Sequence, residues 1–346
     1  MHGSGARNEA TLYSGPEHDI LLGNLGFTVM TKSQIRDTLA FPLLLRFLRN
    51  IDKTSANQLV ERPLALVKPF EVSLIRHQNL LEGHIPPDIW VFEMVEAGKI
   101  IYGDNLLQLF NTDFGFDSGF RMIINRLFGL NLCVPLIARS DFNHKMDVLS
   151  VNYECTKGIL GGLESLLVLL DMYRPSYSER GCLANKVVEA YPEFTDPKDV
   201  IETFKLATQL KLDPHELDRL SPISYWFKSR SLLETCLRIY NSEGITAGGV
   251  FSDVQESSFA PVARVKEMLR FVANGRFDPR SFALHDLDET ATKLMLSCVF
   301  SLNPQTCGKP STHNERLISA SRYANFLRTR GQWHQITDHI TCIHPI

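Results

Sequence analysis

The chain has 346 residues and a formal net charge of −3, from 36 basic and 39 acidic side chains. This length allows two or three domains, and a hydrophobic fraction of 44% allows a sizeable core and argues against a disordered chain. The small net charge gives no field over the whole molecule that would favour bulk nucleic-acid binding or an anionic membrane. A local basic pocket for a small polyanion is compatible with it.

The seven cysteines are scattered, odd in number and never in C-x-x-C spacing. This pattern indicates reduced thiols in an intracellular protein rather than a disulfide framework. The longest apolar runs, such as 130–138, are too short to span a bilayer, and the N-terminus lacks the layout of a secretion signal. We therefore predict a cytoplasmic protein with no membrane partner.

Short strands and helices alternate in the first part of the chain. The residue pattern predicts strands at 26–31, 70–76 and 99–103, and helices at 33–52 and 86–99. The second helix begins with prolines and ends at a glycine, as helices commonly do. Alternation of this kind is typical of an α/β arrangement, so we predict a small mixed-sheet domain here.

From about residue 106 the apolar residues follow helical spacing. The predicted helices are 119–131, 147–173, 196–211, 223–244, 260–275, 288–303 and 313–331. The predicted fold class is therefore α+β: a small mixed-sheet domain at 1–105, followed by a larger all-helical domain at 106–346.

The segment GSGARNEAT (3–11) is a candidate phosphate-binding turn. A Gly3–Ser4 turn can present backbone N–H groups and a hydroxyl to a phosphate, and Arg7 adds a positive charge. Such a short pattern also occurs in ordinary polar turns, so it does not establish a phosphate site by itself.

Two further candidates lie on a strand and on a helix. Glu71 belongs to the alternating strand 70–76, where a carboxylate either holds a divalent cation or faces solvent. Lys157 belongs to YECTKGILGGLESLL (153–167), a segment that is otherwise mostly apolar and small. Its position fits either a cation aimed at a triphosphate or a lysine whose stem packs at a domain boundary.

Taken in order, several segments resemble the nucleotidyltransferase superfamily of the DNA polymerase beta type, in the bacterial branch with a helical C-terminal domain. The segments are GSGARNEAT, LLGNLGFTVMTKS, FEVSLI, IPPDIWVFEMVEAGKIIYGD, INRLFGLN and YECTKGILGGLESLLVLLDMYRPSYSER. They fall within residues 3–181, and the run PPDIWVFEMVEAGKIIYGD is the most specific of them.

The resemblance implies metal-dependent transfer of a nucleoside monophosphate from a nucleoside triphosphate to a hydroxyl, with pyrophosphate leaving. It assigns Gly3 and Ser4 to the phosphate cradle, Glu71 to the acid that helps activate the acceptor, and Lys157 to the phosphates. Mg²⁺ is the implied cofactor. The acceptor stays open among an antibiotic, a sugar, a protein side chain and RNA.

The chain departs from the family pattern at the paired metal-binding acids. Asn24 and Gly26 occupy those positions, and the nearby Asp19 has no acid two residues further on. Because Mg²⁺ prefers charged oxygen ligands, we expect impaired catalysis, with a nucleotide-binding or protein-interaction module as the alternative function. The family's preceding helix and first strand are also missing before Gly3, which predicts a start upstream of Met1.

Overall fold

The computed structural model describes most of the chain from residue 87 onward and short pieces before it. The described residues are 6–7, 9, 11–14, 19–21, 25–31, 70–76, 80–81, 87–243 and 284–341. Gly3, Ser4 and Asn24 lie outside them, as do the predicted helices 33–52 and 260–275.

Among the described residues, the β structure consists of two separate two-stranded ladders. The strands are β1 (Leu12–Ser14), β2 (Asp19–Leu21), β3 (Leu25–Thr31) and β4 (Phe70–Arg76). β1 and β2 pair antiparallel, whereas β3 and β4 pair in parallel. β3 and β4 confirm the strands predicted at 26–31 and 70–76.

Helices make up most of the described structure. They are α1 (Ile89–Ala97), α2 (Phe116–Arg139), α3 (Lys145–Leu169), α4 (Tyr177–Cys182), α5 (Ala184–Ala190), α6 (Pro197–Leu212), α7 (Pro222–Ser242), α8 (Leu284–Ser301) and α9 (Thr312–Thr341). Short 3-10 turns occur at Leu107–Leu109, Pro214–Arg219 and Pro304–Thr306. The helices predicted within these ranges are confirmed, with ends that differ by a few residues or more.

The start of α6 shows how local sequence sets a helix boundary. Asp196 is the N-cap, and its carboxylate accepts a hydrogen bond from the Asp199 N–H at 3.1 Å. Pro197 follows in the first turn, where a missing N–H costs nothing. The helix therefore begins where its unpaired N–H groups have a partner.

The hydrophobic core lies among the long helices. α3 is buried along most of its length and packs against α2, α6 and α7, while α8 and α9 pack together against α2. Trp226 and Tyr240 of α7 are fully buried, and each donates a hydrogen bond to a carbonyl of a neighbouring helix. These bonds satisfy the polar atoms of two large core side chains.

The N-terminal segment is attached to this helical core. Tyr13 of β1 belongs to the main hydrophobic cluster, and its hydroxyl donates to Asp218 Oδ2 at 2.9 Å. Thr11 Oγ1 donates to the Lys211 carbonyl at 2.7 Å. Residues 11–14 therefore run alongside the end of α6.

The α+β prediction is wrong, because the described part of the chain is predominantly helical. Its two ladders share no strand, so no mixed sheet forms among the described residues, and two strands alone cannot build a core layer. The segment 99–103, predicted as a strand, is irregular: Tyr102 is 98% exposed and Gly103 has a φ of +90°. The domain boundary at residues 105 and 106 stays a prediction.

One described segment, Ser118–Arg139 within α2, is long and apolar enough to cross a membrane. That test uses length and composition alone, and core helices of proteins outside membranes also pass it. In this chain 56% of the tested window is buried inside the protein, as expected for a core helix. The segment is therefore weak evidence for a membrane span.

Candidate functional site

A cleft of about 600 Å³ opens between α2 and α3, with α1 and the start of α4 beside it. Cavities of this size are typical of small-molecule sites. The basic side chains in its lining are Arg121, Arg126, Lys157 and Arg180. The acidic ones are Asp88, Glu93, Glu154 and Glu164.

The polar face of α3 follows from residue spacing. Glu154, Lys157, Gly161 and Glu164 are separated by three, four and three residues, so they lie on one side of the helix. Most of the other α3 side chains are apolar and buried in the core. The three charged residues of this line therefore face the cleft.

Lys157 lies in the cleft, paired with the acid one turn before it. Its Nζ donates to Glu154 Oε1 at 2.8 Å and lies 5.5 Å from the centre of the Tyr153 ring. The lysine side chain is 28% exposed, whereas the glutamate side chain is 6% exposed. The ammonium is therefore accessible from the cleft, while the carboxylate beside it is enclosed.

Arg126 enters the cleft from α2. Its side chain crosses α3 at Gly161, where a Cβ atom would lie 2.6 Å from Arg126 Nε. The glycine thus makes room for the arginine. The Nε atom is buried and has no hydrogen-bond partner in the part of the chain that the structure describes. Because an unpaired buried donor is costly, Arg126 is a strong candidate to bind an anionic ligand.

Lys211, at the end of α6, is a buried cation close to this pair. Its Nζ donates to Tyr153 Oη at 2.6 Å, and the residue is 4% exposed. Burial lowers the pKa of Lys211, and the charges of Lys157 and Arg126 lower it further. Tyr177 and Glu164 partly oppose this shift, although among the described residues no carboxylate forms an ion pair with Lys211.

Replacing Lys211 with methionine is expected to leave the free energy of unfolding at about pH 7 unchanged or higher. The wild-type chain buries a cation without a carboxylate partner, and methionine removes that cost. The folded chain has the lower Lys211 pKa, so the unfolded chain binds more protons as the pH rises toward 10.5. Wild-type stability therefore rises in that window, and the advantage of Lys211→Met shrinks.

Urea unfolding of both proteins at about pH 7 and about pH 9.5 measures this difference. Lys205→Met is the control, because Lys205 is exposed on the same helix. Its stability relative to wild type should not change with pH in this way. A Lys211→Met advantage that grows with pH would contradict the account.

Arg180 of α4 is the centre of a buried charge network. Its guanidinium is 1% exposed, donates from Nε to Glu164 Oε1 at 2.8 Å, and lies 3.1 Å from Glu93 Oε1. Tyr173 Oη donates to the same Glu93 oxygen at 2.7 Å. Burial opposes the charge, but Glu164, Tyr173 and Glu93 raise the pKa of Arg180 well above its usual range. The network ties together α1, α3 and α4 beside the cleft.

Arg7 extends this network into the N-terminal segment. Its Nε donates to Glu9 Oε2 at 2.8 Å, and Nη1 lies 3.3 Å from Glu93 Oε2. The Glu9 carboxylate in turn accepts hydrogen bonds from the Ser176 hydroxyl and the Tyr177 backbone N–H. The Arg7 side chain is therefore enclosed among acids, one of which, Glu93, lines the cleft, and its assignment to phosphate stays a prediction, as do those of Gly3 and Ser4.

The predicted metal-site residues lie on the two ladders. Glu71 is in β4 and Asp19 is in β2, which belong to different ladders. The register partner of Glu71 is Gly26, which has no side-chain oxygen. Asn24 is outside the described residues.

Mg²⁺ stays a prediction, because the described residues include only part of the site that the resemblance implies. The partner of Glu71 across the ladder supplies no ligand atom. No group of three histidine, cysteine or acidic side chains that could hold a metal ion occurs in the described ranges.

Lys157 is predicted from the sequence as a site residue, whereas Glu154, Arg126 and Lys211 are not. The available signal was a charged residue in the apolar phase of a helix, which all three show. That signal does not show which helices face each other, so it could not predict that Arg126 of α2 and Lys157 of α3 line the same cleft. The meeting of these residues depends on tertiary packing.

No protein-family model, curated protein or solved structure matches this chain. The likeness to nucleotidyltransferases therefore stays a prediction that rests on the quoted segments.

Proposed function

We propose that this protein is nucleotidyltransferase-like and binds the phosphates of a nucleoside triphosphate in the cleft between α2 and α3. The observation that carries the proposal is the meeting of Arg126 and Lys157 across the cleft, with Lys211 buried nearby. Glu154 is the single acid that forms an ion pair with any of these three among the described residues. Within this group the cations outnumber the acid, although the whole cleft lining has equal numbers of basic and acidic side chains, and this local excess favours an anionic ligand.

The chemistry of the two cleft cations suits phosphate oxygens. A guanidinium and an ammonium form short, charge-assisted hydrogen bonds to phosphate, which are stronger than neutral ones. The unpaired Nε of Arg126 would gain an acceptor in such a complex. The resemblance independently assigns Lys157 to the phosphates.

The remainder of the cleft suits a nucleoside. Its volume of about 600 Å³ is enough for a ligand of nucleotide size. Trp90 and Tyr177 are aromatic members of the lining, and a nucleobase gains free energy by stacking on such rings. We also propose a cytoplasmic location, supported by the cysteine pattern, where nucleoside triphosphates are available.

Calorimetric titration of the wild-type protein with ATP, AMP and adenosine tests the proposal. Affinity should fall in that order, because each loss of phosphate removes contacts to Arg126 and Lys157. Binding of ATP should also weaken as salt concentration rises, since salt screens the attraction between charges. Equal affinity for ATP and adenosine, or no heat with any nucleoside triphosphate, would exclude the proposal.

Transfer of the nucleoside monophosphate to a hydroxyl acceptor is a second candidate function. The observation in its favour is the register of the parallel ladder, in which position 26 lies beside Glu71. Because Gly26 supplies no carboxylate, the transition state lacks stabilisation of roughly several kcal/mol. A loss of that size slows a reaction by orders of magnitude. With Mg²⁺ present, Gly26→Glu should therefore raise the release of pyrophosphate from ATP, the nucleoside monophosphate passing to a hydroxyl acceptor or, in its absence, to water; an unchanged rate would count against this candidate.

A further inference from the structure

Glu154 is an unexpected neighbour for a phosphate-binding lysine. Its carboxylate lies 2.8 Å from Lys157 Nζ, on the same face of α3 and in the lining of the same cleft. Lys157 is its one ion-pair partner among the described residues. A phosphate that reaches the ammonium must therefore approach a negative charge at close range.

The carboxylate is held in this position by the opposite helix. A Cβ atom at Gly129 of α2 would collide with Glu154 Oε2, so the α2 backbone lies directly against the acid. The glutamate side chain is 6% exposed and has little access to solvent, whereas the lysine is more exposed. Glu154 therefore stays beside the ammonium when a ligand enters, and the lysine is the more mobile partner.

We propose that Glu154 is a specificity-determining residue that competes with ligand phosphates for Lys157, an inference that rests on the proposed function. Its negative charge offsets one of the two positive charges that line the phosphate site. Repulsion between like charges grows as the density of charge on the ligand increases. The carboxylate thus penalises compact polyphosphates more than ligands whose contacts are shared with a nucleoside.

Inorganic triphosphate is the probe that isolates this effect, because it carries phosphates without a nucleoside. Replacing Glu154 with glutamine keeps the shape of the side chain and removes its charge. Calorimetry should show that Glu154→Gln binds inorganic triphosphate about ten-fold more tightly than the wild-type protein. The gain for ATP should be smaller than the gain for inorganic triphosphate.

A double-mutant cycle shows whether the effect acts through the lysine. In the Lys157→Gln background, the gain from Glu154→Gln should be smaller, because no ammonium remains to compete for and only the direct repulsion between the carboxylate and the phosphates is removed. Glu189→Gln is the matched control: it breaks the exposed Lys186–Glu189 pair, which has the same spacing on α5. This control should leave the affinity unchanged, and thermal unfolding should show that every variant is folded.

The outcomes separate this inference from the proposed function. If the wild-type protein binds ATP but Glu154→Gln does not bind inorganic triphosphate more tightly, the inference is overturned and the function stands. An equal gain in the Lys157→Gln background would also overturn it. If neither protein binds ATP or inorganic triphosphate, both the inference and the proposed function fail.

Discussion

Replacing Arg180 with methionine should destabilise the folded protein by about 3–5 kcal/mol, the usual cost of removing one partner from a buried ion pair. The variant would leave Glu164, at 3% side-chain exposure, with a charge that no other described ion pair compensates. Glu93 would lose the nearer of its two arginine partners, since Arg7 lies slightly further away at 3.3 Å. Equilibrium unfolding in urea measures the change in the free energy of unfolding.

Arg219→Met provides the control for this prediction. Arg219 also forms an ion pair with a glutamate, but both side chains of the Arg219–Glu216 pair are more than half exposed. Such surface pairs contribute little, so the control should change stability by less than about 1 kcal/mol. Similar losses for the two variants would mean that the Arg180 network does not have the buried character described here.

The double variant Arg126→Gln/Lys157→Gln should bind ATP at least about 100-fold more weakly than the wild-type protein. Each substitution removes a hydrogen bond between charged groups, and such bonds contribute about 1.5–3 kcal/mol each. Every 1.4 kcal/mol is about ten-fold in affinity, so two losses combine to the stated factor. Calorimetric titration with ATP at low salt measures it.

A control variant must separate the loss of contacts in the cleft from the change in net charge. Lys186→Gln/Arg219→Gln also removes one lysine and one arginine, but from exposed ion pairs outside the cleft lining. It reproduces the change in net charge and should retain ATP affinity to within about three-fold, a difference of less than 1 kcal/mol. If both double variants lose affinity equally, the effect belongs to overall charge and not to the cleft.

The helical part of the fold could be predicted from the sequence because its signals are local. Long apolar segments at helical spacing found the helices that became α2, α3, α6 and α7. Helix α2 extends past the predicted 119–131 because Val134 and Ile137 continue its buried face, although Pro135 lies between them. The burial of these apolar side chains stabilises the helix by more than the proline inside it costs.

The predicted mixed sheet and the strand at 99–103 are wrong because a strand forms only where a second strand pairs with it. The run 99–103 has strand-like residues, but a strand needs another strand beside it, and Ile101 and Tyr102 are exposed instead. The runs 26–31 and 70–76 did find each other across the long stretch between them. A single sequence shows each run but not which runs pair, so the expected mixed sheet could not be tested before the structure.

The candidate site shows the same limit. Lys157 could be selected because a lysine in an apolar helix is unusual, and it does line the cleft. The role of Arg126 depends on Gly161, a residue of another helix that leaves space for it. The role of Glu154 depends in the same way on Gly129. Such pairs of a charged residue and a distant glycine follow from packing, which the spacing along one helix does not reveal.

The reactivity of individual lysines in the presence of ATP tests the central claim most directly. An amine-reactive reagent, followed by mass spectrometry, measures the labelling rate of Lys157 and of the exposed control Lys186 in the same wild-type sample. The account predicts that saturating ATP slows the labelling of Lys157 and leaves that of Lys186 unchanged. Labelling of Lys157 at the same rate with and without bound ATP would contradict it.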